Sequence, residues 1–209
     1  MRTTVAGVLL AAGEGSRFGR PKALVEVNGR TLAERGTDLL RSGGADPILI
    51  VTGAAPVQPP GTLAVDNPDW RTGMGSSVRA ALRALTGTQD VSAVVVALAD
   101  QPLVGPESVA RLIAAYRAGA SVAVAAYDGQ PRNPVLLARE HWPEVIDTAT
   151  GDTGARAFLR ARADLVTLVE CGDTGLPDDI DTPADLARIA ALARPIMDDY
   201  LRNDLRRMP

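Results

Sequence analysis

Lys22 is the residue from which the chemistry of this chain is best read. Of its 22 basic residues, 21 are arginine and Lys22 is the single lysine. A sequence that writes arginine almost wherever it places positive charge keeps one compact, mobile ammonium here, where a planar fork would not serve. Lys22 follows a glycine-bearing stretch, Ala11-Ala12-Gly13-Glu14-Gly15-Ser16-Arg17-Phe18-Gly19, which itself follows the short apolar run Val5–Leu10. Glycines such as Gly13 and Gly15 let backbone N–H groups approach a ligand with no Cβ in the way, and successive N–H groups form a concavity for an anion. Arg17 and Lys22 add full positive charge beside it. Strand, glycine loop and cations together have the makings of a phosphate site; a lysine after a proline is by itself also an ordinary loop charge.

Asp100 is the second chemical candidate. It closes Val91–Ala99, the most apolar run in the chain, with the composition of a strand buried on both faces. Ligands of open α/β sheets gather at the carboxyl ends of strands, and the glycine loop also follows a strand end. An aspartate placed there is suited to hold Mg²⁺, the plain alternative being an aspartate that only forms the turn.

Much other chemistry is excluded. With one cysteine, Cys171, and one histidine, His141, the chain has no internal disulfide and too few ligands for a Cys/His zinc site. A Ser-His-Asp hydrolase would need His141, which reads as a half-buried helix-start residue, and no G-x-S-x-G elbow occurs. Any metal is therefore expected to be a hard cation held by carboxylates. The formal charge of −3, with no basic block, argues against nucleic acid as a partner. The apolar runs are too short for a membrane span, and the start shows no signal peptide, so the expectation is a cytoplasmic protein without a membrane partner.

The elements that must position these residues follow from patterning. Val5–Leu10, Pro47–Thr52, Thr62–Val65, Val91–Ala99, Ser121–Tyr127, a strand entered from the turn at 128–134, and Leu165–Glu170 read as strands. Asn28-Gly29 is a turn after a short extended piece. Thr31-Leu32-Ala33-Glu34 is a capping-box pattern opening a helix to about Ser42, weakened by Gly36. Ser76 or Ser77 is expected to cap a helix carrying Val78, Ala81, Leu82 and Leu85. That helix start, preceded by glycines, is either a second phosphate or ribose contact or simply a capped terminus. Pro106 starts a further helix, Thr153 caps one carrying Ala155, Phe158 and Leu159, and Thr182-Pro183 starts the last. Alternation of strands and helices implies α/β with a mainly parallel sheet, in one domain over 1–194. Residues 195–209 form a charged C-terminal tail, either frayed or a packing arm.

Neither standard phosphate pattern fits the glycine loop. The third glycine of the dinucleotide fingerprint is misplaced, and no Gly-Lys-Ser/Thr follows. What does fit is L-A-A-G-x-G-x-R-F-G-x-P-K, Leu10 through Lys22. This resembles the signature of the MobA-like NTP-transferase family, most closely the molybdenum cofactor cytidylyltransferases. The resemblance implies a three-layer αβα Rossmann-like nucleotidyltransferase fold. It implies nucleotide binding by Leu10, Ala11, Ala12, Gly13, Gly15 and Lys22, with Asn67, Gly73, Gly75 and Ser77 on base and ribose. Asp100-Gln101-Pro102 is similar to the family's metal motif D-x-P. Asp181 is similar to the carboxylate that D-x-D-T-P places near the metal. Asn133 lies in a stretch similar to an acceptor-binding R-G-[HN]-P-V-L, although Arg132 stands where glycine is usual. Arg156 lies in G-D-x-G-A-R, where it either reaches an anionic acceptor or is a solvated helix residue.

The implied reaction is Mg²⁺-dependent transfer of a nucleoside monophosphate to a phosphorylated small-molecule acceptor, with release of pyrophosphate. Lys22, Arg17 and Asp100 would be catalytic, and Asp100 and Asp181 the metal ligands. Alanine at position 12, where guanylyl-specific relatives tend to have glycine, favours CTP as the nucleoside triphosphate. By family the acceptor is molybdopterin, with a molybdoenzyme apoprotein as a further partner. A sugar or alcohol phosphate acceptor, a non-catalytic nucleotide-binding module and a nicotinamide-dependent oxidoreductase are the competing readings.

Overall fold

The computed structural model describes residues 4–193, so the tail expected at 195–209 lies outside the described residues. In chain order the strands are β1 (Thr4–Leu10), β2 (Glu26–Val27), β3 (Arg30–Thr31), β4 (Ile48–Thr52), β5 (Leu63–Asp66), β6 (Val91–Leu98), β7 (Val122–Tyr127), β8 (Gln130–Ala138) and β9 (Val166–Glu170). The helices are α1 (Leu32–Ser42), α2 (Met74–Thr86), α3 (Pro106–Arg117), α4 (Trp142–Thr148) and α5 (Arg156–Ala161). A last helix, α6, covers 183–193.

Seven strands form one sheet in the order β5-β4-β1-β6-β8-β7-β9. The pairs β4–β5, β1–β4, β1–β6 and β7–β9 are parallel, while β8 runs antiparallel to both β6 and β7. The expected α/β class and mainly parallel sheet are thus observed, with one reversed strand that the apolar pattern alone does not reveal. That reversal has a local cause. Asp128 and Gly129 adopt φ of 52° and 73°, the tight hairpin turn that sends β8 back along β7.

Strand periodicity builds the three layers. In β1, Ala6, Val8 and Leu10 face α2, α4 and α5, in a core completed by Val78, Leu82, Trp142 and Phe158. Val5 and Leu9 point the other way, into a core with Leu39 and Leu40 of α1 and Leu112 and Ile113 of α3. Gly36, which looks like a defect in α1, is where the helix lies on the sheet: a Cβ there would run into Leu9. The capping box is formed as expected, with Glu34 N–H donating to Thr31 Oγ1 and Thr31 N–H to Glu34 Oε2.

Two expected caps are not made. α2 starts three to four residues earlier, after Gly73, and Ser76 and Ser77 lie buried inside its first turn. Thr153 belongs to a 3-10 turn and donates to the Thr150 carbonyl, while α5 starts after Ala155 with no side-chain cap. A third small core, Val25, Val27, Leu32, Leu103, Ile180 and Ile189, docks α6 against the β2–β3 hairpin. The sequence around Thr182 drives this start: Thr182 and Asp185 bond each other reciprocally in a second capping box.

Candidate active site

A cleft of about 490 Å³ opens where the strand order changes direction. The chain passes from β1 to β4 on one side and to β6 on the other, and the loops after β1 and β6 frame the crevice at their carboxyl ends. Leu10, Ala11, Ala12, Gly13 and Lys22 supply one wall, and Leu98, Ala99 and Asp100 another. Met74 and Ser77 at the start of α2 close the remaining side with Trp70 and Arg71.

The loop after β1 presents backbone donors. Ala11 N–H donates to the Val51 carbonyl at 3.0 Å, extending the strand pairing by one residue. Beyond it, the N–H groups of residues 12–17 have no acceptor among the described residues. The loop then folds back as Phe18 and Gly19 N–H donate to the Gly15 carbonyl at 2.7 and 2.9 Å. A run of unpaired donors beside a cavity is the physical form of an anion site.

Two of its glycines have different reasons to be glycine. Gly15 sits at φ +63°, and a Cβ would collide with the Arg20 carbonyl, so the return of the loop requires it. Gly13 is not in the left-handed region, and a Cβ there would meet nothing within 4 Å. Neither backbone conformation nor packing demands glycine at 13. The open space beside it faces the cleft, where a Cβ would occupy room next to the donors.

Lys22 closes the chemistry. Its Nζ donates to Asp100 Oδ2 at 2.9 Å and to Asp181 Oδ1 at 2.6 Å, joining residues 78 and 159 positions away. Asp181 arrives there because Ile180 N–H donates to the Asp100 carbonyl at 2.8 Å and the Ile180 side chain is fully buried in the third core. Burial alone would lower the Lys22 pKa, but the Asp100 and Asp181 carboxylates outweigh it and hold the ammonium above its ordinary 10.5. Such partly solvated ion pairs contribute roughly 0–1 kcal/mol each to stability, too little to explain three charges converging on a cleft. Two carboxylates on one cationic centre are hard oxygen donors of the kind that hold a divalent ion together with phosphate oxygens. Among the described residues no group of three or more His, Cys, Asp or Glu is arranged as a metal site.

A second, larger cleft of about 960 Å³ adjoins the first across Leu98. Asn133 and Arg156 line it, as do Arg132 and Arg160. Val124, Val135, Val166 and Leu168 give it an apolar floor, and Gln101 and Asp179 stand at the border with the first cleft. Gln101 Nε2 donates to Asp179 Oδ1 at 2.9 Å, fixing that border.

The structure therefore sorts the sequence candidates. Leu10, Ala11, Ala12, Gly13, Lys22, Ser77 and Asp100 line the first cleft, and Asp181 reaches it through Lys22. Arg17 is exposed and does not line it, and Gly15 shapes the loop from outside. Asn67 is 2% exposed and donates from Nδ2 to Ser76 Oγ at 2.8 Å and Ser77 Oγ at 3.0 Å, so it positions Ser77 and does not line the cleft. Gly75 is likewise buried, where a Cβ would crowd the Ala149–Thr150 backbone. Gly73 adopts φ +106°, and a Cβ would meet Gly151, which lets the 150–152 segment approach closely and brings Asp152 into the cleft wall. Trp70, Arg71 and Asp152 escape sequence reading. The one available signal was a large aromatic next to an arginine in an otherwise small-residue loop, and the structure stacks Arg71 Cζ 4.3 Å from the Trp70 ring centroid.

Comparison with known proteins gives the family of the chain. The nicotine blue oxidoreductase of Paenarthrobacter nicotinovorans is 38% identical over 201 residues, covering 88% of this chain and 96% of that protein. The 2-C-methyl-D-erythritol 4-phosphate cytidylyltransferase of Rhodococcus opacus (strain B4) is 33% identical over 171 residues, covering 77% of this chain and 69% of that protein. The crystal structure of a Mycobacterium tuberculosis Rv0371c homologue from Mycobacterium sp. strain JC1 superposes with a TM-score of 0.79 at 27% identity, covering 94% of this chain and all of that one. The sequence pattern of the MobA-like NTP transferase domain matches residues 7–166, and the chain belongs to that family.

Proposed function

We propose that this protein is a metal-dependent nucleotidyltransferase that moves a nucleoside monophosphate, CMP from CTP, onto a phosphorylated acceptor and releases pyrophosphate. The observation that carries the reading is the convergence of Lys22, Asp100 and Asp181 in the cleft that Ala12, Gly13 and Glu14 line, whose N–H groups have no acceptor among the described residues. Repulsion between a triphosphate and an anionic nucleophile is the main barrier to such a transfer, so neutralisation and alignment are the catalytic tasks. The N–H groups after Ala11 bind phosphate oxygens, and the space beside Gly13 gives them room. Lys22 leaves one or both carboxylates to meet the charge that develops on the phosphates in the transition state. Asp100 and Asp181 are the residues that would hold Mg²⁺, which supplies charge neutralisation on phosphate oxygens when bound. Ser77, fixed by Asn67, contacts the nucleoside, and Asn133 and Arg156 place the acceptor in the second cleft. Arg17, exposed on the loop, assists by charge at a distance. No nucleophile from the protein is needed, because the acceptor phosphate attacks.

CTP is supported by the Leu10-Ala11-Ala12-Gly13 form and by the similarity to a cytidylyltransferase. A molybdopterin acceptor, handed on to a molybdoenzyme, is the acceptor reading favoured by the motif; a sugar or alcohol phosphate suits the same phosphate site. A cytoplasmic location is proposed with it; no helix among the described residues is long and apolar enough to cross a membrane. The name of the Paenarthrobacter relative favours a second reading, an oxidoreductase built on the same scaffold. Pyrophosphate release across the four NTPs, with pterin and sugar-phosphate acceptors, tests the first reading. Release with CTP supports it. No release with any pair, together with NADH oxidation in the presence of a quinonoid dye, overturns it in favour of the second.

A further inference from the structure

The second cleft carries more positive charge than the proposed reaction requires. Arg156 and Arg160 stand one turn apart on α5, so both point from one helical face, and Arg132 comes from β8. None of the three takes part in an ion pair among the described residues. Neighbouring arginines are engaged: Arg162 pairs with Glu144 at 2.8 Å, Arg188 with Asp178 at 2.9 Å, and Arg139 donates to the carbonyls of Thr86, Thr88 and Val91. Of the acids of the cleft, Asp178 is paired with Arg188, while Asp179 accepts from the neutral Gln101 amide and keeps its charge. Among the described residues Arg132 donates only to the adjacent Pro131 carbonyl, at 3.3 Å, so three guanidiniums against one uncompensated carboxylate stand over an apolar floor in which Leu168 is 50% exposed. A guanidinium fork matches phosphate or carboxylate oxygens in two parallel hydrogen bonds, and an uncovered apolar floor matches a hydrocarbon or aromatic body.

We propose that the second cleft selects an acceptor with an apolar body and two separate anionic groups, and that Arg132 is the residue that recognises the second of them. This rests on the nucleotidyltransferase reading for the identity of the cleft as the acceptor site. One anionic group, held by the Arg156–Arg160 pair near the border with the first cleft, is the phosphate that attacks. Arg132, on a different element and standing where the motif usually has glycine, holds the other. It is a specificity determinant and not a catalytic group.

The test is calorimetric binding of two matched probes, phenyl phosphate and 4-carboxyphenyl phosphate, which differ by one carboxylate. The titrations are run with and without a non-hydrolysable CTP analogue, so that probe on the glycine loop is separated from probe in the second cleft. The expected result is that 4-carboxyphenyl phosphate binds the wild-type protein about tenfold more tightly, as one added charge-assisted contact would give. Arg132→Gly and the milder Arg132→Gln are both expected to abolish that preference and leave phenyl phosphate affinity unchanged. Equal affinity for the two probes in the wild type, an unaltered preference in both variants, or displacement of the probe by the CTP analogue would each overturn the proposal. Because the measurement reads binding alone, its failure is distinguishable from a failure to release pyrophosphate.

Discussion

The two clefts share Leu98 and little else. The first offers backbone N–H groups that no carbonyl among the described residues accepts, a glycine with open space beside it, and two carboxylates, Asp100 and Asp181, on the single ammonium of Lys22. The second is made by side chains, with guanidiniums unbalanced over exposed apolar surface. A backbone cradle recognises what every nucleotide has in common, its phosphates, while projecting side chains recognise what distinguishes one acceptor from another. The contrast assigns the shared chemistry to the first cleft and the individuality of this protein to the second.

The sharpest way to break that division is at Lys22. Lys22→Ala is expected to lower the rate of pyrophosphate release by about 10²–10³, the usual cost of one group that stabilises transition-state charge. Its melting temperature is expected to fall by no more than a few degrees, since the ion pairs are partly open to solvent. A rate within threefold of wild type would remove Lys22 from the chemistry. The two loop glycines then separate shape from ligand. Gly15→Ala is expected to cost about 2–3 kcal/mol in denaturant unfolding, through its positive φ and the Arg20 carbonyl. Gly13→Ala is expected to change stability by less than about 0.5 kcal/mol and to weaken CTP binding about tenfold by filling the space beside the donors. Equal losses of stability in the two variants would show that Gly13 serves the loop and not a ligand. The smallest effect concerns pH. With the Lys22 pKa raised in the folded state, the stabilisation it brings is complete below its unfolded value of 10.5 and is lost as pH rises through the folded value. Unfolding titrations are expected to show wild type and Lys22→Met differing by up to about 1 kcal/mol at pH 8 and converging as pH rises through the raised Lys22 pKa. A difference that grows with rising pH would contradict the ion-pair assignment.

What was legible in the sequence is what local chemistry dictates. The apolar run of β1, the capping box at Thr31 and the helix start at Thr182-Pro183 are short-range signals, and each forms as read. The loop from Leu10 to Lys22 was legible for the same reason, because its glycines and cations sit within one contiguous stretch. The serines before Val78 misled because a serine ahead of an apolar helix face reads as a cap. Here Gly73, at a φ only glycine adopts readily, starts the helix instead, and Ser76 and Ser77 are claimed by Asn67. The meeting of Lys22 with Asp181 was not readable from spacing, and only the family motif pointed to it. It depends on Ile180 being drawn into a small core with Val25, Leu32 and Leu103, contacts distant in sequence. The wall made by Trp70, Arg71 and Asp152 was missed for a related reason, since it depends on how closely the 150–152 segment approaches Gly73. Arg160 carries no motif signal, and only the fold sets it in one cleft with Arg132 and Arg156.

The measurement closest to the heart of this account is a crystal structure with a non-hydrolysable CTP analogue and Mn²⁺ as an anomalous scatterer. The expected map shows the metal bound by Asp100 and Asp181, the phosphates on the N–H groups that follow Ala11, and Lys22 turned toward them. Phosphates lying outside the first cleft, or a metal that touches neither aspartate, would contradict it.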